Sequence, residues 1–90
     1  MKTKLKKKFL KQLANLPKDV RERIEVFVFE DLLHFASIAE SGKIEKMHGY
    51  NNYFKIRFGS YRIGLKLEND ALIVQIVMHR KEIYRFFPEN

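Results

Sequence analysis

The spacing of apolar residues changes at Gly42: before it they recur every three or four positions, and after it they alternate. From Lys7 to about Asn15, the residues Phe9, Leu10, Leu13 and Leu16 fall at helical spacing. Leu16-Pro17 breaks that pattern, and Pro17 suits the first turn of a second helix. There Val20, Ile24, Phe27, Val28 and Leu32 form an apolar stripe, with Arg21, Arg23 and Glu25 off it. The two segments read as an antiparallel helical hairpin. Residues 34–42 connect onward, with a short helical turn around Ser37–Glu40 that ends at Gly42.

Beyond Gly42, Ile44–Met47 reads as a short strand, and Tyr53–Phe58, Tyr61–Leu67 and Leu72–His79 as longer ones. Gly59-Ser60 and Asn69-Asp70 are good two-residue hairpin turns. Residues 2–6 are a weaker candidate for an edge strand, since their lysines argue against it. The expected fold is α+β, an N-terminal helical hairpin packed on one face of a mostly antiparallel four-stranded sheet. No repeat, low-complexity tract or linker interrupts the chain, so residues 1–90 form a single domain.

If Gly59-Ser60 closes a two-residue turn, Ile56 faces Ile63 and Phe54 faces Leu65 on one side of the sheet. On the other side Arg57 lies opposite Arg62, and Lys55 opposite Gly64. The Asn69-Asp70 turn pairs Glu68 with Ala71. It sends Leu72, Val74, Ile76 and Met78 to the first face, and Gln75, Val77 and His79 to the second. The first face must meet the helices. The second gathers Lys55, Arg57, Arg62, Gln75 and His79, with no acid in the strand centres and with Gly64 leaving the floor open. Like charges directly opposite repel, at about 0.2–1 kcal/mol per pair. Such a face suits a phosphodiester backbone, although solvated strand positions carry the same residue types. A slip of one residue would dissolve the cluster, and the strict alternation of the apolar face argues against it.

Composition narrows the chemistry. Ninety residues, 46% apolar and 13% aromatic, suffice for one folded core. There is no cysteine, and the three histidines have no metal-ligand spacing, so no metal or other cofactor is expected. The lysine-rich Met1–Leu10 segment is not followed by an apolar run of signal-peptide or membrane-spanning length, which predicts a cytoplasmic protein without a membrane partner. A net charge of +7 points to a polyanion, RNA or DNA ahead of a membrane surface. An acidic protein partner satisfies the same electrostatics.

The stretch Lys46-Met47-His48-Gly49, followed by Tyr53-Phe54-Lys55-Ile56-Arg57-Phe58-Gly59-Ser60-Tyr61-Arg62-Ile63-Gly64, resembles the central hairpin of RelE-like toxins. His79-Arg80-Lys81-Glu82-Ile83-Tyr84-Arg85-Phe86-Phe87-Pro88 is similar to their C-terminal signature, and Phe9–Pro17 to their first helix and its breaker. Nearly the whole chain therefore resembles the RelE branch of the RelE/ParE toxin superfamily, with its RelE-like microbial RNase fold. The resemblance implies an endoribonuclease that cuts messenger RNA in the ribosomal A site. It also implies a cognate antitoxin that silences the toxin in a hetero-oligomer.

Carried over by position, the resemblance gives Lys55, Arg57, Arg62, Arg80 and Tyr84 as catalytic residues. Metal-free RNA cleavage by the 2′-hydroxyl needs a base, charge stabilisation and an acid. Lys55 is the candidate base, since its guanidinium neighbours favour the neutral amine. Arg57 and Arg62 suit the phosphorane, Arg80 the leaving oxygen, and Tyr84 stacking on a base or orienting the sugar. Gln75 and Lys81, with Lys55 and Arg57, are candidate RNA contacts. His79 is a candidate acid or base, or else a strand-end residue bonded to the backbone. His34 and His48 read as structural or solvated, and Ile83, Phe86 and Phe87 as tail packing. Two other functions stay open: a ParE-like inhibitor of DNA gyrase on the same fold, and an RNA- or ribosome-binding domain without catalysis.

Overall fold

The computed structural model describes residues 1–88. Strand β1 (Lys2–Leu5) leads into helix α1 (Lys7–Ala14), and α2 (Lys18–Val26) follows the break at Pro17. A π-helical turn, Phe27–Asp31, joins α2 to α3 (Leu32–His34), and a short α4 (Ile38–Ser41) comes next. Strands β2 (Glu45–Lys46), β3 (Tyr53–Phe58), β4 (Tyr61–Glu68) and β5 (Ala71–His79) complete the sheet, and a 3₁₀ turn spans Ile83–Arg85.

Local chemistry accounts for these boundaries. Pro17 caps α2 from just outside it, and its carbonyl accepts the Arg21 N–H at 2.9 Å. Ser37 accepts the Glu40 N–H at the start of α4, and Gly42 ends that helix at φ +68°. Glycine reaches this left-handed conformation with little strain. In the π turn the Leu32 N–H bonds to the Phe27 carbonyl, so the wider turn keeps both side chains on the buried side.

The sheet has five strands in the order β1-β5-β4-β3-β2, not four. β1 joins it at the edge, parallel to β5. Its lysines do not prevent this, because Leu5 packs on the core while Lys2 and Lys4 stay exposed. Charged side chains along an outer edge also discourage pairing with another chain. β2 is only two residues long, Glu45 opposite Lys55 and Lys46 opposite Phe54.

The β3–β4 hairpin has the expected register at every pair, including Arg57 opposite Arg62 and Lys55 opposite Gly64. The β4–β5 hairpin starts as expected, with Glu68 opposite Ala71 across an Asn69-Asp70 turn in which both residues have positive φ. Between Gly64 and Leu65 the register shifts, and Gln75 is left without a partner on β4. This β-bulge exchanges the faces of every later β5 residue. Val77 therefore joins the core under the helices, whereas Ile76 and Met78 lie on the opposite face. The expected placement of Ile76, Met78, Val77 and His79 is corrected accordingly. Past the end of β1, the Val77 N–H is satisfied by Gln12 Oε1 of α1 at 3.0 Å.

The main core sets Phe9, Leu13, Ile24, Phe27, Val28 and Leu32 of the helices against Ile56, Ile63, Leu65, Leu72, Val74 and Val77 of the sheet. Each such side chain contributes about 1.5–3 kcal/mol on burial. A smaller cluster of Met47, Ile76, Ile83 and Phe87, with Tyr53 and Met78 beside it, lies on the other face. Among the described residues no buried side chain is polar or charged, and no helix is long and apolar enough to cross a membrane.

Candidate nucleic-acid interface

The face of the sheet away from the helices carries the cations. Strand alternation, fixed by the buried Phe54, Ile56, Phe58 and Ile63, turns Lys55, Arg57 and Arg62 to this side. The three arise from neighbouring positions of one hairpin, but each head group has its own contact. Arg57 Nε lies 3.6 Å from Glu45 Oε1 of β2. Arg62 Nη1 donates to the carbonyls of Gly59 at 2.7 Å and Tyr61 at 2.9 Å. Lys55 Nζ stands 5.8 Å from the ring centre of Tyr84.

Arg62 is thus tied to its turn by two short charge-assisted bonds, whereas Arg57 is held only loosely. The Arg57–Glu45 pair is exposed on both sides. Exposed pairs of this kind contribute about 0–1 kcal/mol, less than a guanidinium gains from a phosphate in bidentate contact. No acid lies in the centres of β3, β4 or β5, as expected; Glu45 enters because β2 pairs with β3 beside Lys55.

The C-terminal segment supplies the remaining parts. Arg80 is exposed and its N–H donates to the Ser60 carbonyl at 2.8 Å, at the same turn that holds the Arg62 guanidinium. Ile83 is buried beneath the 3₁₀ turn, which leaves the Tyr84 ring 52% exposed beside Lys55. The ring is thus offered to solvent rather than packed against the sheet. Phe87 packs edge-on against Tyr53 at 5.4 Å. As expected, Ile83 and Phe87 pack as tail residues, but Phe86 does not: it is about half exposed.

Gly64 does not leave an open floor. A Cβ there would lie 2.7 Å from Ile76 Cγ2 and 2.8 Å from two ring carbons of Phe87. The missing side chain admits the tail's own aromatic ring, and the cationic surface lies beside that seal. Gln75 keeps its level on β5, next to the row Lys55–Gly64–Ile76, but as the unpaired residue of the bulge. Lys81 is exposed, and its N–H donates to His79 Nδ1 at 3.2 Å.

His79 leaves the cluster. The bulge turns it to the helix side, opposite Tyr61, whose ring lies 5.5 Å away and packs on the main core. It is the strand-end residue bonded to backbone, not a neighbour of Lys55.

Lys66 was not foreseen. It lies on the cationic face opposite Tyr53, with Nζ 3.1 Å from Glu68 and 5.5 Å from the Tyr53 ring centre. The hydrogen bond to Glu68, then the charge of Tyr53, raise it above the ordinary lysine value, so it stays cationic. Its shared parity with Arg62 and Gly64 was the available signal. Among the described residues, no three His, Asp or Glu side chains are grouped so as to hold a metal ion.

Comparison with known proteins agrees with this architecture. The family model for the ParE toxin of type II toxin–antitoxin systems matches residues 3–84. Toxin RelE3 of Methanocaldococcus jannaschii is 39% identical over 89 residues, covering 98% of this chain and all of the relative. The toxin in the RelB–RelE antitoxin–toxin complex from Methanococcus jannaschii superposes with a TM-score of 0.76 at 37% identity, covering 94% of this chain and 99% of that one. The intact Escherichia coli RelBE complex gives a TM-score of 0.63 at 22% identity over 87% of this chain and 94% of that one, a likeness of fold. The chain belongs to the RelE/ParE superfamily of type II toxin–antitoxin toxins.

Proposed function

We propose that this toxin is an endoribonuclease that cuts messenger RNA in the ribosomal A site. Lys55 Nζ accepts the proton of a ribose 2′-hydroxyl, the 2′-oxygen bonds to the adjacent phosphorus, and the bond from phosphorus to the 5′-oxygen breaks. The products are a 2′,3′-cyclic phosphate and a 5′-hydroxyl, the latter completed by a proton from solvent. Arg57 and Arg62 neutralise the phosphorane, and Arg80, close to the same turn, stabilises the departing oxygen. Tyr84 stacks on a base of the message. Gln75 and Lys81 line the outer part of the RNA path. His79 has no part in the reaction.

The observation that carries this reading is the placement of Lys55, Arg57 and Arg62 at neighbouring positions of one sheet face, with the exposed Tyr84 beside Lys55. Arginine is a fixed cation at neutral pH and a poor acid, so its part is electrostatic. The partner is a cognate antitoxin, supported by the RelB seen with the Methanococcus relative and by this chain's charge of +7.

One observation favours a second reading. The family model that matches is the ParE one, and a ParE-like toxin would inhibit DNA gyrase. Purified toxin incubated with translating ribosomes, followed by mapping of RNA 3′ ends, separates the two. Cuts confined to the A-site codon support the nuclease. An intact message with accumulating gyrase–DNA breaks supports the inhibitor.

A further inference from the structure

A row of aromatic rings crosses the cationic face, and the reaction proposed above uses only one end of it. Tyr84 stands beside Lys55. Two residues back along β3, about 7 Å at strand spacing, Tyr53 lies on the same face. Its ring meets Phe87 at 5.4 Å and Tyr50 at 5.7 Å, both edge to face. Lys66 Nζ stands 5.5 Å from the Tyr53 ring centre, so a second cation accompanies this tyrosine. Tyr50 ends the row on the loop between β2 and β3, 39% exposed. The loop holds it in place. Met47 is buried in the smaller cluster, and its N–H donates to the Tyr53 carbonyl at 2.9 Å. The Tyr50 N–H in turn donates to the Met47 carbonyl at 3.2 Å, and Gly49 makes the turn between them at φ +85°. An open cavity of about 440 Å³ lies here, lined by Met47, His48, Tyr50 and Asn51 among others.

We propose that Tyr50 and its loop form a second base-stacking seat for the message, beyond the one at Tyr84. This rests on the nuclease reading above and adds a residue that positions the RNA strand. Single exposed aromatics are common on protein surfaces. Tyr50 differs because it ends a row that begins beside the candidate base, on the face that carries the phosphate-binding cations. Single-stranded nucleic acid is held by this alternation: cations follow the phosphates, and aromatic rings take the bases between them. Lys66 supplies the cation at the middle of the row. Its partner Glu68 is a half-exposed carboxylate at 3.1 Å, a contact that a phosphate can replace at little cost. A tyrosine ring accepts any base on its face, so the seat tolerates different sequences. The Asn51 amide brings a donor and an acceptor to the same cavity, where a base edge can meet them. Two seats fix the direction of the strand across the face, which a single ring cannot do.

The test follows cleavage of ribosome-bound message by excess toxin, comparing the wild type with Tyr50→Ala and Tyr50→Phe. Each is given an unmodified message and a series in which one abasic nucleotide is stepped along the positions flanking the cut. Tyr50→Ala is expected to raise the toxin concentration for half-maximal rate by about 5- to 150-fold, the range of one base–aromatic stack, with a smaller change in maximal rate. Tyr50→Phe, which keeps the ring, should restore most of that loss. One abasic position should slow the wild type by the same factor and slow Tyr50→Ala no further. That position should differ from the one coupled in the same way to Tyr84→Ala. Thermal melts check that the variants fold; if Tyr50→Ala does not, the abasic series on the wild type still decides, because a single sensitive base position would exclude a second seat. Cleavage by Tyr50→Ala at the wild-type concentration dependence would overturn the seat and leave the nuclease reading intact. So would a loss in Tyr50→Ala that adds to every abasic substitution, since the ring would then be touching ribosomal RNA and not the message. A message left whole by the wild-type toxin would overturn both readings.

Discussion

The two faces of the β3–β4–β5 sheet arise from alternate residues of the same strands and are held in different ways. On the helix side Ile56, Ile63, Leu65, Leu72 and Val74 are fully enclosed, and each one's position is set by neighbours on several sides. On the other side Arg57 is exposed, Lys55 and Arg62 are half-buried, and their head groups rest on an exposed carboxylate, two turn carbonyls and an aromatic ring. The enclosed face fixes where the strands lie. The open face then inherits its spacing from the sheet, while Lys55 and Arg57 stay free to exchange partners. What is preorganised here is the spacing of the Cα positions and the Arg62 guanidinium tied to its turn.

Substitutions on each face should therefore fail in different assays. The largest effect is expected from Lys55→Ala, which should lower ribosome-dependent RNA cleavage by about 10²–10⁴-fold, the share of a general base. Its melting curve should match that of the wild type; loss of fold instead would show that the open face is structural. On the enclosed face, Ile63→Ala should cost about 2–5 kcal/mol in a denaturant titration through the cavity it leaves. Gly64→Ala comes next, since its new methyl must move Ile76 or Phe87. A cost of about 1–3 kcal/mol is expected, with the Phe87 ring displaced from Tyr53 in side-chain NMR contacts. The smallest effect belongs to Glu45→Gln, which frees Arg57 and should change stability by less than about 1 kcal/mol. Cleavage should be retained; a collapse of activity would mean that Glu45 holds Arg57 in its working position.

What could be read from the residues follows the same division. Gly59-Ser60 and the strict alternation of Tyr53–Phe58 left one register for the β3–β4 hairpin, so Arg57 and Arg62 could be paired in advance. Leu72–His79 was harder to read, because Leu72, Ile73, Val74, Ile76, Val77 and Met78 are apolar at both parities. Such a strand accepts a bulge without exposing a mismatch, and the bulge at Gln75 moved His79 from the cationic face to the helix side. β1 was faint for another reason: edge strands tolerate lysines, and its pairing with Ala71–Val74 spans nearly the whole chain. The seat of Phe87 over Gly64 was hidden because the tail leaves the strand before returning to it; the glycine signalled close approach but not by what. Glu45 took on meaning only once β2 was set beside β3 and Arg57.

The most direct test of the nuclease reading removes the attacking group from the substrate and leaves the protein untouched. Ribosomes would be programmed with a message carrying one 2′-deoxynucleotide at the scissile position of the A-site codon, and cleavage would be followed by primer extension. If Lys55 acts on a 2′-hydroxyl, the cut at that linkage disappears while an all-ribose message is cleaved. Undiminished cutting of the deoxy-substituted message would contradict the account, because the cationic face would then be using a different nucleophile.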